Sequence, residues 1–313
     1  MEKIRTATVV KHTGSHYLLA HLPEWDLFPA VIKGKIRLEG GGATNPVAVG
    51  DRVDYIPGAA SDEPVATISR IHPRANCILR RPANLSRQVH VIAANLDMAY
   101  LVLTMAMPEL KPAFADRFLV TCQAYQVPVT VIINKIDIHD EELEALSRYW
   151  QQVYSNAGYR VLRVSARTGE GIDDLRERCR EGFSLFSGTS GVGKSSIINA
   201  LDPSLDLKTG EVSAATKQGR HTTTFYQMHP LSGGGYLIDA PGIRGFGLVD
   251  FSPLELANYF PEMLRIADNC RFKPCTHTHE PGCAVKSAVD EGEIPADRYC
   301  SYLGMLEEER KYR

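Results

Sequence analysis

The chain has 313 residues, of which 44% are hydrophobic and 23% charged, and a formal net charge of -2 at pH 7. These proportions describe an ordinary soluble globular protein with room for two or three domains, and the charge balance points to neither a nucleic-acid binder nor a binder of acidic ligands. No apolar run approaches the roughly 18 residues of a membrane helix, and the opening stretch MEKIRTATVVKHTG lacks the apolar core and cleavage site of a secretory signal. Seven cysteines, of which Cys270, Cys275 and Cys283 cluster, do not make a disulfide framework. A monomer in the cytoplasm with no membrane partner is expected.

In residues 1–75 the runs TATVVKHTG, HYLLAHL, AVIKGKIRL, VAVGDRVDYIPG and PVATISRIH are β-branched or alternating, separated by Gly, Pro or Asn. Five short strands in that length predict a small barrel such as an OB-fold, with a small sandwich as the alternative. HPRANCILRRPANLSRQ follows as an irregular connection. No Asp or Glu occurs between Glu63 and Asp97, where Arg70, Arg74, Arg80, Arg81 and Arg87 fall. Such a basic segment suits phosphate backbones, and equally a solvated linker face.

From about residue 88 the pattern changes. VHVIAANLDMAYLVLTM and VPVTVIIN are apolar runs too continuous for half-exposed strands, as in a buried parallel sheet. Between and after them KPAFADRFLVTCQAYQ and DEELEALSRYWQQVYSNAG read as helices, the second stopped at Asn-Ala-Gly. RVLRVS, IDDLRERCREG, FSLFSG and KSSIINALD continue the alternation, which predicts a doubly wound α/β domain over residues 76–249. TTTFYQMHPLSGGGYLIDAPG reads as two strands joined through Gly233, Gly234 and Gly235. Residues 250–313 are expected to be a helical unit around a Cys/His cluster.

The segment GTSGVGKSS, comprising Gly188, Thr189, Ser190, Gly191, Val192, Gly193, Lys194, Ser195 and Ser196, fits a phosphate loop between a strand and a helix. Its glycines let backbone amides point at phosphates, and the helix N-terminus adds a favourable field. Lys194 is placed to reach the β- and γ-phosphates, and the Ser195 hydroxyl to ligate Mg²⁺. Earlier in the chain, NKID offers a guanine reader: the Asp137 carboxylate can accept from N1–H and the exocyclic amine, with Asn134 bracing the site and the Lys135 stem covering the base. Adenine has neither donor and leaves a buried carboxylate unpaired, at a cost of about 1–3 kcal/mol or more. In VSARTGEG, Ser165 and Ala166 are the candidates for an amide that meets the guanine O6.

IDAPG places Asp239 at a strand end for the Mg²⁺ shell and the Gly242 amide for the γ-phosphate. GRHTTT offers a hydroxyl for the same Mg²⁺ from Thr222 or Thr223. Ile243 follows Gly242 where many GTPases carry a water-orienting Gln, so His221, or a group from a partner, must orient the attacking water. In CRFKPCTHTHEPGC, Cys270, Cys275, His277 and Cys283 suit a tetrahedral zinc, with His279 as an alternative donor. Four protein ligands leave no open position, so the site is expected to be structural.

In the order NKID, SA, GTSGVGKS, GRHTTT, DAPG, then C-x4-C-x-H-x5-C, the chain resembles the small-ribosomal-subunit biogenesis GTPases, the RsgA family, over nearly its whole length. CAVKSAVDEGEIPADRY adds to the resemblance. It implies an N-terminal OB-fold, a circularly permuted P-loop GTPase domain and a C-terminal zinc domain. It also implies a bacterial cytoplasmic factor that binds the small subunit and its rRNA during late maturation, with GTP hydrolysis to GDP stimulated by that particle. Two other readings stand beside it: an RNA-binding assembly chaperone using guanine nucleotide only as a switch ligand, and an ATP-dependent protein with an accidental NKID.

Overall fold

The computed structural model describes residues 4–14, 16–32, 46–58, 65–80, 90–207, 226–239, 252 and 254–311. Its N-terminal unit comprises β1 (Arg5–Thr13), β2 (His16–His21), β3 (Asp26–Ile32), β4 (Arg52–Ile56) and β5 (Ala66–Ile71). β1, β2 and β3 meander antiparallel, β3 runs parallel to β5, and β4 pairs with both β5 and β1. The ring therefore closes as a five-stranded barrel of OB-fold type, and the sandwich alternative falls away. Alternate residues fill it, among them Ala7 and Val9, Tyr17 and Leu19, Val53 and Tyr55, Ala66 and Ile68. A register shift between Val9 and Lys11 breaks that alternation, and Val10 packs instead in the core of the next domain. The third strand starts at Asp26, earlier than AVIKGKIRL suggests, and carries Pro29 opposite Leu18.

β6 (Cys77–Arg80) pairs antiparallel with β7 (His90–Ala94), so the connection read as irregular contains a strand. The apolar run after it is also not one element. Asn95, at φ 55, turns the chain between β7 and β8 (Met98–Leu103). Asn tolerates that left-handed conformation better than the aliphatic residues around it.

The α/β domain continues with α1 (Pro112–Ala124), β9 (Val129–Ile133), α2 (Glu141–Ala157), β10 (Arg160–Arg163), α3 (Ile172–Arg178), β11 (Phe183–Ser187), α4 (Lys194–Leu201), β12 (Tyr226–Pro230) and β13 (Tyr236–Asp239). The strand order is β10-β9-β8-β11-β13-β12, parallel except for β12. β8 shows why its sequence is apolar throughout. Ala99, Leu101 and Leu103 pack with Phe118, Leu119 and Trp150 of α1 and α2, while Tyr100 and Val102 pack with Leu175, Ile197 and Ile198 of α3 and α4. α2 starts where Asp140 accepts from the Leu143 amide and stops at Gly158, φ 106. The chain winds from β8 to β9 and β10, then resumes on the other side of β8 at β11. Ligand crevices open at such a switch point, at the C-terminal strand ends.

Barrel and α/β sheet are continuous. β1 pairs antiparallel with β12 at Lys11↔Gln227 and His12↔Tyr226, and Trp25 stacks on Tyr236 at 5.6 Å. The C-terminal unit contains α5 (Pro261–Ala267), α6 (Ala284–Asp290) and α7 (Ala296–Lys311). Leu256, Phe260, Met263, Val285, Ile294 and Tyr302 form its core together with Val120 of α1. Among the described residues no helix is long and apolar enough to cross a membrane.

Candidate nucleotide site and metal centre

Strand β11 delivers the chain into the glycine-rich loop, and α4 begins immediately after it. Gly193, at φ 90, must be glycine for a second reason besides its conformation. A Cβ there falls 2.5 Å from Asn134 Nδ2. The Lys194 ammonium donates to the carbonyls of Gly188 (2.8 Å) and Thr189 (2.9 Å), which holds a cation across the loop. Ser195 and Ser196 occupy the first turn of α4, and no acidic residue there opposes the anion-attracting helix terminus.

The guanine box follows β9 and meets that loop in space. Asn134 is buried; its Nδ2 donates to the Val192 carbonyl at 2.8 Å, and its Oδ1 accepts from the Ala166 amide at 3.3 Å. Lys135, at φ 65, donates through Nζ to the carbonyls of Gly191 (2.8 Å) and Met107. The segments 134–137, 165–167 and 188–193 thus form one cluster at adjacent strand ends. Of the two candidates for meeting guanine O6, the Ala166 amide turns to Asn134 and the Ser165 amide donates to the Glu170 carbonyl at 2.9 Å.

Asp137 Oδ1 accepts from Ser165 Oγ at 2.6 Å, and Oδ2 is ion-paired with Arg167, whose Nε lies 2.8 Å away. The Ser165 hydroxyl is the largest influence holding this carboxyl below the usual range; burial opposes it, and the Asp137 amide and Arg167 add to it. Arg167 did not figure in the sequence reading. Its signal was modest, a cation next to the Ser165-Ala166 pair.

Asp239 ends β13, where its backbone lies opposite Gln227, and β13 runs parallel to β11, which carries the phosphate loop. His221, Thr222, Thr223 and Gly242 lie outside the described residues. The basic segment also changes character. Arg74 makes a bidentate pair with buried Asp51, Nε to Oδ1 and Nη2 to Oδ2, each 2.7 Å, and donates to the Pro46 carbonyl. Its charge is committed inside the protein, so it serves neither a phosphate patch nor a solvated face. Arg81 and Arg87 lie outside the described residues.

In the C-terminal unit the ligating atoms of Cys270, Cys275, His277 and Cys283 all lie within 4.8 Å of one another. Cys270 Sγ is 3.9 Å from Cys283 Sγ, and His277 Nδ1 is 3.6 Å and 3.3 Å from these two sulfurs. A tetrahedron with metal–sulfur bonds near 2.3 Å and metal–nitrogen bonds near 2.0 Å has edges of about 3.5–3.8 Å. The donor set therefore fits a metal ion such as zinc, while a disulfide needs sulfurs at about 2.05 Å. Burial pushes the Cys275 thiol up to about 12, so thiolates crowded here call for a compensating cation. His279 instead turns its Nδ1 to Thr278 Oγ1 at 2.9 Å. The metal loop is braced by Tyr299 and Tyr302, whose hydroxyls donate to the carbonyls of His277 and Thr276, each at 2.6 Å.

The sequence profile of the RsgA GTPase family matches residues 71–249. Over 308 residues the chain is 50% identical to a Bacteroides fragilis protein named small ribosomal subunit biogenesis GTPase RsgA, covering 97% of this chain and 98% of the relative. The crystal structure of YjeQ from Thermotoga maritima superimposes with a TM-score of 0.76 at 32% identity, covering 98% of each chain. That of YloQ, described as a circularly permuted GTPase, gives 0.74 at 27% identity over 99% of this chain and 96% of the other.

Proposed function

Because the chain belongs to the RsgA GTPase family, we propose that its hydrolysis of GTP serves late maturation of the small ribosomal subunit, in the cytoplasm, and is stimulated by that particle. The observation that carries the nucleotide part is the convergence on Asn134, which ties the phosphate loop to both guanine segments although the chain visits them in permuted order. We divide the chain at 75/76 and 249/250 into barrel, GTPase and metal-binding units.

In this reading Asp137 selects guanine, Lys135 covers the base, and Ser165 holds the carboxylate ionised. The amides of Gly188 to Ser196 and the Lys194 ammonium hold the β- and γ-phosphates. Water attacks the γ-phosphorus, the bond to the β–γ bridging oxygen breaks, and GDP leaves with phosphate. Lys194 and the loop amides stabilise charge spreading onto the leaving oxygens. Ser195, Asp239 and Thr222 or Thr223 are the donors for Mg²⁺, which when bound neutralises phosphate charge. The Gly242 amide meets the γ-phosphate, and His221 orients the water. Cys270, Cys275, His277 and Cys283 would hold a zinc ion, which when bound would tie together the metal loop of the unit that packs on α1.

Multiple-turnover phosphate release, measured alone and with small subunits, large subunits or free rRNA, tests the proposal. Specific stimulation by small subunits is expected. Equal rates in all four conditions contradict the stimulation, and no multiple turnover in any of them favours a chaperone that uses nucleotide only as a switch ligand.

A further inference from the structure

The pairing of Asp137 with Arg167 carries a consequence for nucleotide exchange, and it rests on Asp137 being the guanine reader. At Asp137 the Ser165 hydroxyl is hydrogen-bonded to Oδ1, and Arg167 Nε stands 2.8 Å from Oδ2. Guanine needs both oxygens, for N1–H and the exocyclic amine, so the groups already on the carboxylate compete with the base.

Which one leaves follows from burial. Ser165 is fully buried and its Oγ also accepts from the Thr168 amide, so its hydroxyl is fixed by the loop. The Arg167 side chain is 76% exposed, on a carboxylate that is only 8% exposed. It can swing into water at small cost, because exposed ion pairs are weak and are screened by salt. A guanidinium also resembles the guanine edge, since both present N–H donors in a plane toward one carboxylate.

We propose that Arg167 is a guanine-mimicking gate: it occupies the reading carboxylate until guanine displaces it, and so sets how fast and how tightly guanine nucleotide binds. Because the binding-competent population is the fraction with Arg167 swung away, the gate weakens apparent affinity by that fraction.

The test uses the full-length protein and GDP carrying a fluorescent label on the ribose, in stopped flow and equilibrium titration. Arg167→Ala, at an exposed position, should bind about three- to fivefold tighter and associate correspondingly faster, the range that an exposed ion pair supplies. Raising KCl should shrink the wild-type to variant ratio of Kd toward one, because salt opens the gate in the wild type alone. Unchanged or weaker GDP binding by Arg167→Ala overturns the gate. A parallel Asp137→Asn variant separates the two levels of the argument. If it loses GDP while Arg167→Ala gains nothing, only the gate fails; if it binds GDP normally, the guanine-reader assignment fails and the gate with it.

Discussion

Asn134 Nδ2 lies 2.8 Å from the carbonyl oxygen of Val192, a hydrogen bond that crosses 58 residues of chain and joins the guanine box to the phosphate loop. Asn134 is 1% exposed, so truncating it leaves the Val192 carbonyl and Ala166 amide unpaired in a dry environment. Asn134→Ala is expected to lower unfolding free energy by about 1–3 kcal/mol and to weaken GDP by at least tenfold, read by urea titration and calorimetry. Wild-type binding by a destabilised variant would show the bond to be structural only.

Asp137 should determine base identity. Asn in its place offers a donor where guanine also presents a donor, so GDP binding should fall by about a hundredfold, the cost of losing two charge-assisted hydrogen bonds. Xanthine carries a carbonyl in place of the exocyclic amine and should bind Asp137→Asn better than guanine does. Competition between GDP and XDP measures the reversal. The pH sign follows from the lowered carboxyl: Asp137 stays ionised below the usual carboxylate range, so GDP affinity in the wild type should not fall as pH drops from 7 to 5.

The site's chemistry was legible in the sequence because it relies on residue types at fixed local spacing. Glycines before Lys194, a carboxylate three residues after Asn134, and Cys/His donors within fourteen residues each state a local requirement. What was not legible is non-local. Nothing near Lys11 or Gln227 indicates that β1 and β12 pair, because edge pairing is chosen by tertiary placement rather than by either strand's own pattern. Arg74 looked like part of a basic patch because its partner, Asp51, lies 23 residues away on the far side of β4 and β5. The break between β7 and β8 hangs on Asn95, a single residue within the apolar stretch.

Asp202 predicts a particular acid lability. It is 3% exposed and accepts from the amides and hydroxyls of both Ser204 and Ser232, which tie the end of α4 to the turn between β12 and β13. Burial raises its pKa, but the four hydrogen bonds outweigh that and bring it down to about 2. A group whose folded pKa is depressed contributes stability above its unfolded value, and loses it as pH falls toward the folded value. Asp202 should therefore supply about 2 kcal/mol that is fully present above pH 5 and is lost between about pH 4 and 2. Urea unfolding of Asp202→Asn against wild type should show a gap that closes over that interval; a gap that stays constant with pH would refute the assignment.

Metal removal should act on folding before chemistry. Cys270, Cys275 and Cys283 pack in a core shared with Val120 of α1, to which no residue of the phosphate loop contributes. One zinc per chain is expected by elemental analysis. A strong chelator or Cys275→Ser should lower Tm and loosen the C-terminal unit, read by proteolysis, while GDP affinity changes less than threefold. Structural zinc sites supply folding free energy rather than catalysis, which sets that order of effects.

Arg298 joins the same two units through a fully buried charge. Its Nη1 donates to Asp116 Oδ1 of α1 at 2.5 Å and its Nε to Glu262 Oε1 of α5 at 2.6 Å, with Phe260 4.8 Å from the guanidinium carbon. Burial raises the Asp116 carboxyl, and Arg298 pulls it back toward ionisation. Removing the cation alone strands two buried carboxylates, so Arg298→Met should cost about 3–5 kcal/mol. Replacing all three by apolar residues, as Arg298→Met with Asp116→Leu and Glu262→Leu, removes the stranded charges as well. If the cluster's main cost is desolvation, the triple variant recovers most of that loss. Comparing the two by urea unfolding decides whether the cluster stabilises the interface or mainly fixes how α7 seats on α1. Full recovery, with altered stimulation by small subunits, points to seating; no recovery points to net stabilisation by the buried pair itself.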